Sequence, residues 1–259
     1  MVFLGTGAGA GVPSFYCACP ACREAVTEPR CWRSRCSLLI RGEYDILIDA
    51  PPELRIQLIR ERVDHIGYFI LTHSHYDHSG GLGDLEFYSR VGCHQSIPAY
   101  MTAESLAWLR TAFGFMEDCL SIQTVAPGEQ FELEGVSFTG LEVTHSPGTL
   151  GLLIETYGGQ RTAYIPDTGP LPVGTLDRIR GVDTLILGAT FWGRNWMPED
   201  HLSIDEAIQI GLQAKPGRLY ITHVSMHYDT PITSRELETY LHSQRDGFYL
   251  AYDGTCIEI

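Results

Sequence analysis

Positive charge is scarce in this sequence. Its 259 residues include 18 lysine and arginine residues against 32 aspartate and glutamate residues, and the net charge is −14. A protein that tracks a phosphate backbone needs a surface rich in lysine and arginine. Long nucleic acids are therefore not expected as partners. A small anionic substrate is compatible with this charge, because bound divalent cations can invert the local field.

Long hydrophobic runs are also absent. The longest apolar stretches, such as IGYFIL at residues 66–71, are far too short to cross a bilayer. The N-terminal sequence MVFLGTGAG has no basic leader, so no signal peptide is expected. We therefore predict a cytoplasmic protein that does not bind membranes. No linker rich in glycine, serine or proline interrupts the chain, and a single domain over residues 1–259 is expected.

Short apolar and β-branched runs recur along the chain, bounded by glycine, proline and aspartate. Helical periodicity is found at residues 52–63, 103–114, 204–214 and 234–244, and Ser203 and Glu206 form an S-x-x-E capping box before the third of these. Strands alternating with helices predict a layered α/β protein. The segments of strand length and composition include Val2–Leu4, Ser37–Ile40, Asp45–Ile48, Tyr68–Leu71, Val136–Val143, Gly151–Thr156, Thr162–Ile165, Thr184–Leu187, Arg218–Thr222 and Phe248–Tyr252.

Three of the eight cysteines lie within six residues, in SFYCACPACRE: Cys17, Cys19 and Cys22. Thiols stay reduced in the cytoplasm, so this cluster favours a metal site or catalysis over disulfides. A C-x-x-C redox pair is the weaker alternative, because such pairs lie at a helix start after a strand and need no third thiol. Cys93 and Cys119 have no role assigned by the pattern and are expected to pack as small apolar residues, as is Cys256.

The glycines at the N-terminus match a second motif. Gly5, Gly7 and Ala10 fit a G-x-G-x-x-A dinucleotide fingerprint. That fingerprint requires a helix to follow at once, so that its N-terminus receives the pyrophosphate. Val12-Pro13 and a series of predicted turns follow instead. We interpret the glycines as a tight loop that packs near the active site.

The segment LTHSHYDHSGG directly follows the apolar run GYFIL. It places His73, His75, Asp77 and His78 within six positions. Imidazole and carboxylate groups are ligands for zinc, manganese or iron. A solvated polar loop is the alternative, but the residue types and their spacing favour a metal site.

Three further candidate ligands follow apolar strands in the same manner. His145 follows VSFTGLEVT, Asp167 follows RTAYIP, and His223 follows RLYIT. Each alone could be a surface histidine or a turn-forming aspartate. Together they supply what the first four residues need to complete two coordination shells. Asp167 has two carboxylate oxygens and is suited to bridge two cations.

This order of ligands resembles the metallo-β-lactamase superfamily of binuclear hydrolases. The resemblance implies an αββα sandwich, with two mixed sheets face to face, helices outside and a metal site at one edge. It also implies that Asp49 supports the site from behind the ligands. Two catalytic cations are implied, manganese or zinc with iron as a further candidate, held as follows: one by His73, His75 and His145, the other by Asp77, His78 and His223, with Asp167 as the bridge.

The likeness is most specific to the PhnP family of phosphodiesterases of the carbon–phosphorus lyase pathway and to its PqqB-type relatives. It begins at GTGAGAGVPSFYCACPAC and continues in matching order through RSRCSLLI, LTHSHYDH, VTHSPGTLGLLIET, YIPDTGPLP and ITHVS. The resemblance implies that the three clustered thiols and His227 hold a structural zinc. The spacing from His223 to His227 is one residue longer than in that family, so Cys31 and Cys36 stay open as rival ligands.

The resemblance predicts a phosphodiesterase for a small cyclic phosphate, of the ribosyl 1,2-cyclic phosphate or 2′,3′-cyclic nucleotide type. Two cations would supply a bridging hydroxide as the nucleophile. His201 matches the position that protonates the leaving group, and Asp77 belongs to the catalytic centre as well as to the ligands. The segment GATFWGRNWMPED departs from the family, with Gly188 at an expected acidic position. Three of its residues are expected to shape the substrate pocket: Trp192, Arg194 and Trp196.

Other functions remain open at this level. The same ions could act on a carbonyl group in a thioesterase or lactamase. A PqqB-like biosynthetic role and a metal-stabilised scaffold without catalysis are further alternatives, although the intact set of seven ligands is a poor fit to the PqqB type. The sequence leaves the oligomeric state open, including a homodimer.

Overall fold

Two mixed β-sheets form the centre of the structure, a computed structural model that describes residues 1–259. In both sheets, strands that are adjacent in space are consecutive in the chain. The first sheet comprises Val2–Gly5 (β1), Ser37–Ile40 (β2), Ile46–Ile48 (β3), Tyr68–Ile70 (β4), Ile97–Met101 (β5) and Leu120–Thr124 (β6). The second comprises Gln130–Leu133 (β7), Val136–Glu142 (β8), Leu150–Thr156 (β9), Arg161–Ile165 (β10), Thr184–Gly188 (β11), Arg218–Thr222 (β12) and Phe248–Leu250 (β13).

Each sheet has an antiparallel part and a parallel part. Strands β1 to β3 pair antiparallel and β3 to β6 pair parallel. In the second sheet, β7 to β10 pair antiparallel and β10 to β13 pair parallel. The parallel parts bring the carboxyl ends of several strands to a shared edge, where ligand sites of α/β proteins are commonly found.

Eight α-helices connect the strands, and none is long and apolar enough to span a membrane. The predicted capping box at Ser203 and Glu206 is present at the start of one of them. It satisfies backbone N–H groups that have no partner within the helix. The helices are Pro20–Thr27 (α1), Leu54–Arg60 (α2), Tyr76–Ser79 (α3), Leu82–Phe87 (α4), Ala103–Ala112 (α5), Val173–Arg178 (α6), Ile204–Ala214 (α7) and Ser234–Gln244 (α8).

Three clusters of buried apolar side chains define the layers. The central cluster lies between the sheets, where Ile48 and Ile70 of the first sheet pack with Leu152 and Ile186 of the second. A second cluster joins the outer face of the first sheet to α2, α4 and α5. The third joins the outer face of the second sheet to α1, α7 and α8. This helix–sheet–sheet–helix arrangement confirms the predicted αββα sandwich.

The two sheets meet along the edge where their parallel strands end. Asp49 follows β3, the segment that begins at Thr72 follows β4, and His223 directly follows β12. The backbone N–H of Leu150, the first residue of β9, donates to the carbonyl oxygen of Thr72 at 2.9 Å. This hydrogen bond ties the second sheet to the loop of the first sheet that carries the histidine motif.

Several elements differ from those predicted. The strands β5, β6 and β7 were not predicted, and most side chains of β6 are exposed or half-exposed, which weakens the apolar signal. Helix α1 lies where turns were expected. Its sequence PACREAVT contains a proline and two β-branched residues, Val26 and Thr27, which have low helix propensity. Proline is nevertheless tolerated in the first turn of a helix. Burial of Ala21, Cys22 and Ala25 stabilises it by packing.

Candidate metal centre

The histidine motif occupies the loop after β4 and the first turn of α3. His73 and His78 are completely buried, whereas His75 is exposed and Asp77 is half-buried. The helical turn brings His78 back under the loop, so that the rings of His73 and His78 lie 4.2 Å apart. The strand end and the short helix together point four polar side chains into one small volume.

The first group of candidate ligands gathers side chains from both sheets. His73, His75, His145 and Asp167 each have a ligand atom within 4.8 Å of the others. The Nε2 atom of His145 lies 3.0 Å from Nδ1 of His75 and 3.2 Å from Oδ2 of Asp167. His73 Nε2 lies 3.7 Å from the same carboxylate oxygen. The structure thus brings together the three histidines that the resemblance assigns to one ion and Asp167, the residue that it assigns as the bridge.

The second group lies beside the first. Asp77, His78 and His223 have ligand atoms within 4.8 Å of one another. The Nε2 atom of His223 lies 3.3 Å from Oδ2 of Asp77 and 3.6 Å from Oδ2 of Asp167. His78 Nε2 lies 4.0 Å from that same atom of Asp167. One oxygen of Asp167 is therefore close to both groups, as a bridging carboxylate requires.

The histidine rings are fixed by hydrogen bonds at their other nitrogen atoms. His78 Nδ1 lies 2.8 Å from Asp49 Oδ2, and His73 Nδ1 lies 3.1 Å from the hydroxyl of Thr72. That hydroxyl is itself 2.9 Å from both carboxylate oxygens of Asp49. His145 Nδ1 lies 2.7 Å from a backbone carbonyl oxygen. Such partners orient metal-binding histidines and set which nitrogen is free to bind.

Two of the inward-facing nitrogens have no hydrogen-bond partner. The Nε2 atoms of His73 and His78 are both buried and unpaired within the protein. Buried polar atoms are nearly always paired, and leaving one unpaired costs about 1–3 kcal/mol. Cations bound in the two ligand groups, one next to each nitrogen, would satisfy both. The donor set of imidazole nitrogens and carboxylate oxygens therefore fits a metal site.

The electrostatics of the cluster also suit a cation. Burial lowers the pKa of His73 well below the usual histidine range, and the neighbouring His78 lowers it further, so His73 stays neutral and can act as a ligand. Burial alone would raise the pKa of Asp167. The imidazoles of His223, His145 and His201 hold that pKa well below the ordinary aspartate value instead. The centre thus combines an ionised carboxylate at Asp167 with a neutral imidazole at His73.

Backbone geometry at two of these positions is unusual. Asp49 has a φ of 66° and His223 a φ of 53°, in the left-handed region that non-glycine residues rarely occupy. Both residues directly follow strands, and both are buried. Strained backbone of this kind concentrates at functional sites, where the surrounding structure holds it in place.

His201 lies beside the two ligand groups, with a ring nitrogen within 4.8 Å of ligand atoms of both Asp167 and His223. Its Nδ1 atom is 2.7 Å from Oδ1 of Asp167 and 3.3 Å from the hydroxyl of Thr190. The same hydroxyl is 3.0 Å from Nδ1 of His223. Thr190 was not singled out in the sequence, and the only signal was its position just beyond strand β11. The structure therefore brings His201 to the centre, although the sequence alone does not show this contact.

The clustered thiols form a separate group. Cys17, Cys19, Cys22 and His227 have ligand atoms within 4.8 Å of one another. His227 Nδ1 lies 3.2 Å from Cys22 Sγ and 3.7 Å from Cys19 Sγ, and its Nε2 is 2.7 Å from the carbonyl oxygen of Gly11. Three thiols and one imidazole are a known ligand set for structural zinc.

The rival ligands for the thiol group lie elsewhere. Cys31 is part of the core under α1 and α8, and Cys36 is buried with its Sγ 3.3 Å from the hydroxyl of Thr222. The C-x-x-C pair does begin a helix, since Cys19 precedes the first residue of α1. No strand leads directly into α1, however, so only part of the arrangement typical of a redox pair is present. The argument from a third thiol stands and is strengthened by the proximity of His227.

A family model describes most of this chain. The model of the β-lactamase superfamily domain matches residues 44–224, which include all seven candidate ligands of the metal centre. The chain belongs to the β-lactamase superfamily. Together with the αββα sandwich and the His/Asp cluster, this makes it a hydrolase of the metallo-β-lactamase fold. The roles of individual site residues stay predictions.

Similar solved structures cover the whole chain. The structure of a new diphosphatase from the PhnP family is 27% identical, with a TM-score of 0.87, and the alignment covers 100% of this chain and 96% of that one. Zn²⁺-bound PqqB from Methylobacterium extorquens is 24% identical, with a TM-score of 0.82. The alignment covers 100% of this chain and 99% of the PqqB chain. The second likeness is evidence of fold alone.

Two curated relatives differ in length from this metallo-β-lactamase-fold chain. Coenzyme PQQ synthesis protein B of Methylobacterium radiotolerans is 30% identical over 84% of this chain and 78% of its own length. An octanoyltransferase of Porphyromonas gingivalis is 28% identical over 100% of this chain but only 52% of its own length. The chain thus spans about half of that second relative.

The glycine-rich loop lies against the metallo-β-lactamase centre. A side chain at Gly9 would come within 3.4 Å of Asp77 Oδ2, and the turn closes with Gly11 N–H donating to the Ala8 carbonyl at 2.9 Å. No helix begins there, so the dinucleotide interpretation is excluded and the predicted tight loop is present. The loop forms one wall of the centre.

Of the three residues predicted to shape the substrate pocket, Trp192 lies away from the metal centre. The ring of Trp192 lies 5.0 Å from that of Tyr240 and packs on the core, so its predicted role in the pocket is wrong. Arg194 and Trp196 are exposed on the loop that leads to His201. A side chain at Gly188 would collide with the backbone of Pro166, which explains why this position has no acidic residue here.

Proposed function

We propose that this protein is a metal-dependent phosphodiesterase that hydrolyses a small cyclic phosphate diester. Ribosyl 1,2-cyclic phosphate and 2′,3′-cyclic nucleotides are the substrate types. The proposal rests on one carboxylate, that of Asp167, which lies close to both ligand groups and also contacts His201. Asp167 Oδ2 lies within 4.0 Å of ligand atoms in both groups, while Asp167 Oδ1 contacts His201 at 2.7 Å.

The residues of the chain divide the work as follows. Two divalent ions, manganese or zinc, would supply a hydroxide at neutral pH and offset the charge of the phosphoryl group. His73, His75 and His145 would hold one ion. Asp77, His78 and His223 would hold the other. This leaves the substrate to bind on the open side of the cluster, where His75 is exposed.

His201 is proposed as the proton donor to the leaving alkoxide. Asp167 Oδ1 and the Thr190 hydroxyl both contact its Nδ1 atom, and this orients the ring. Its Nε2 atom has no hydrogen-bond partner within the protein, so that nitrogen is free to meet a substrate oxygen. A positioned histidine of this kind contributes about 10²- to 10⁴-fold to a rate.

One of the comparisons supports phosphate chemistry over carbonyl chemistry. The PhnP-family diphosphatase resembles this chain over its full length, in sequence as well as in fold, at 27% identity. That likeness also favours a second candidate, in which the substrate is a diphosphate and the bond cleaved is a phosphoanhydride. The thioesterase, lactamase and PqqB-like alternatives have no feature of the site that favours them over these two.

The test is a panel of substrates with one metal-loaded preparation. Protein loaded with Mn²⁺ or Zn²⁺ is assayed with bis(p-nitrophenyl) phosphate, a 2′,3′-cyclic nucleotide, a nucleoside diphosphate, an acyl thioester and a β-lactam. We expect hydrolysis of the diesters, loss of activity with a chelator, and recovery when the metal is returned. Asp177→Asn, on the exposed surface of α6, is the matched control for Asp167→Asn.

Turnover of the thioester or β-lactam without turnover of any phosphate ester would contradict the proposal. Turnover of the diphosphate alone would replace the diester with the second candidate. Failure with every divalent ion would favour the non-catalytic scaffold.

A further inference from the structure

Three aromatic rings line the side of the centre next to His201. Phe191, Trp196 and Tyr228 pack against one another, and we refer to them as the aromatic wall. The ring centroid of Phe191 lies 5.9 Å from that of His201, 6.1 Å from Trp196 and 5.4 Å from Tyr228. Trp196 and Tyr228 are 4.8 Å apart. The wall therefore starts at the proposed proton donor and leads away from it.

The position of the wall is fixed by polar contacts. The indole Nε1–H of Trp196 donates to Asp229 Oδ2 at 2.8 Å. Asn195 Nδ2 donates to the backbone carbonyl oxygen of His201 at 2.8 Å, and the backbone N–H of His201 donates to that of Met197 at 2.9 Å. The loop that carries Trp196 is thus tied directly to the residue proposed to protonate the leaving group.

The thiol group holds the other end of the wall. Tyr228 directly follows His227, whose ring contacts Cys19 and Cys22. A zinc ion bound there would fix the backbone on which Tyr228 stands. The thiol group would then hold Tyr228 in place beside the metal centre, in addition to stabilising the N-terminal loop.

The wall is only partly explained by core packing. Phe191 is 3% exposed and belongs to the interior, but Trp196 is 46% exposed. An indole left open beside a polar centre keeps a large apolar surface in water, which is unfavourable by about 25 cal/mol per Å² of apolar area. An aromatic surface that adjoins a reaction centre is suited to cover a planar ring of the substrate.

We propose that the aromatic wall is a stacking subsite for the base of a nucleotide substrate. The inference rests on the proposed phosphodiesterase function and selects among its substrates. Ribosyl 1,2-cyclic phosphate carries no base, whereas a 2′,3′-cyclic nucleotide carries one on the same sugar as the leaving oxygen. With the leaving oxygen at His201, a base that extends past Phe191 would meet the exposed ring of Trp196. The preferred substrate is therefore the cyclic nucleotide.

The experiment measures binding, so that it is separate from turnover. Metal-loaded protein is titrated calorimetrically with 3′-AMP and with methyl ribofuranoside 3-phosphate, in which a methyl group replaces the base. We expect wild-type protein to bind 3′-AMP at least about fivefold more tightly, because stacking of one base on an aromatic side chain changes affinity by about 5- to 150-fold. Trp196→Ala should remove this preference and leave the affinity for the abasic compound unchanged.

Two variants separate stacking from general damage. Trp196→Phe keeps an aromatic face but loses the hydrogen bond to Asp229, and we expect it to retain most of the preference. Tyr157→Ala removes a fully exposed aromatic ring from the turn between β9 and β10, and it should behave as wild type. Equal affinity of wild-type protein for the two compounds, or equal weakening of both by Trp196→Ala, would overturn the subsite.

The outcome is distinguishable from failure of the proposed function. Hydrolysis of bis(p-nitrophenyl) phosphate by the same preparation tests the chemistry without a nucleobase. Diester hydrolysis with no preference for 3′-AMP overturns the subsite alone. A base preference that Trp196→Ala removes, in a protein that hydrolyses no phosphate ester, supports the subsite and overturns the function.

Discussion

The Nδ1 atom of His201 lies 2.7 Å from Oδ1 of Asp167. Asp167 turns its other oxygen toward the two groups of candidate ligands, within 3.2 Å of His145 Nε2 and 3.6 Å of His223 Nε2. One buried carboxylate thus joins the ligand cluster to the proposed proton donor. The chemistry proposed here depends on this arrangement.

His201→Gln should slow the reaction without removing metal. We expect kcat to fall by about 10²- to 10⁴-fold with a cyclic nucleotide, whose alkoxide leaving group needs a proton. The loss should be much smaller with bis(p-nitrophenyl) phosphate, because p-nitrophenolate leaves without one. Steady-state kinetics and metal analysis of the same samples check this. Equal losses with both substrates would contradict the assignment of His201 as proton donor.

Asp167→Asn should weaken both proposed ion sites at once. We expect less than one catalytic ion per chain and a loss of activity greater than about 100-fold, since even groups that only orient metal ligands are worth about 10- to 100-fold. Elemental analysis after dialysis is the measurement, with Asp177→Asn as the control. Full metal content and full activity in Asp167→Asn would remove Asp167 from the centre.

The hydroxyl of Thr190 is expected to position two histidines. It lies 3.0 Å from His223 Nδ1 and 3.3 Å from His201 Nδ1. Thr190→Val has nearly the same shape but no hydroxyl, and we expect kcat to fall by about tenfold or more. Thr190→Ser restores the hydroxyl and should restore activity. If Ser is as impaired as Val, the residue matters for packing and not for hydrogen bonding.

The thiol group should bind one zinc ion independently of the catalytic centre. Zinc-loaded wild-type protein is expected to contain three ions per chain, and Cys22→Ala should contain two and melt at a lower temperature. Cys93→Ser changes a cysteine far from the group in the sequence and should keep all three ions. Retention of three ions by Cys22→Ala would contradict a zinc site at these thiols.

The capping box of α7 should contribute to stability in a pH-dependent manner. Burial raises the pKa of Glu206, but hydrogen bonds from Ser203 and Asn195 lower it more, so the folded pKa is below the unfolded one. The stabilisation is therefore present above the unfolded pKa and lost as pH falls through the folded pKa. We expect Ser203→Ala to cost about 1 kcal/mol at pH 7. In denaturant unfolding, the difference between wild type and Glu206→Gln should be constant above the unfolded pKa of 4.5 and should shrink as the pH is lowered below that value. A difference that stays constant below this pKa would contradict the prediction.

The candidate ligands could be predicted because each follows an apolar strand, and strand ends converge at one edge. His145, Asp167 and His223 needed no further information than that pattern. The residues that surround His201 could not be predicted in the same way. Thr190 and the aromatic wall reach His201 through loop conformations, and nothing in the spacing of Phe191, Trp196 and Tyr228 indicates that their rings meet.

Two of the missed elements have a common cause. Helix α1 and strand β6 bury few side chains, so their patterns are weak and tertiary packing decides their structure. The wrong prediction for Trp192 has a different cause. Its neighbours in the sequence lie at the site, but its own ring is turned toward Tyr240 and the core.

The most direct test of the centre is a crystal structure of the zinc-loaded protein with anomalous diffraction at the zinc edge. At the metal centre we predict two strong peaks about 3.5–4 Å apart, one among His73, His75 and His145 and the other among Asp77, His78 and His223, with Asp167 between them. A third peak is expected at the thiol group, and it does not bear on this test. A single peak at the metal centre, or peaks there that Asp167 does not touch, would contradict the account of a shared two-ion centre.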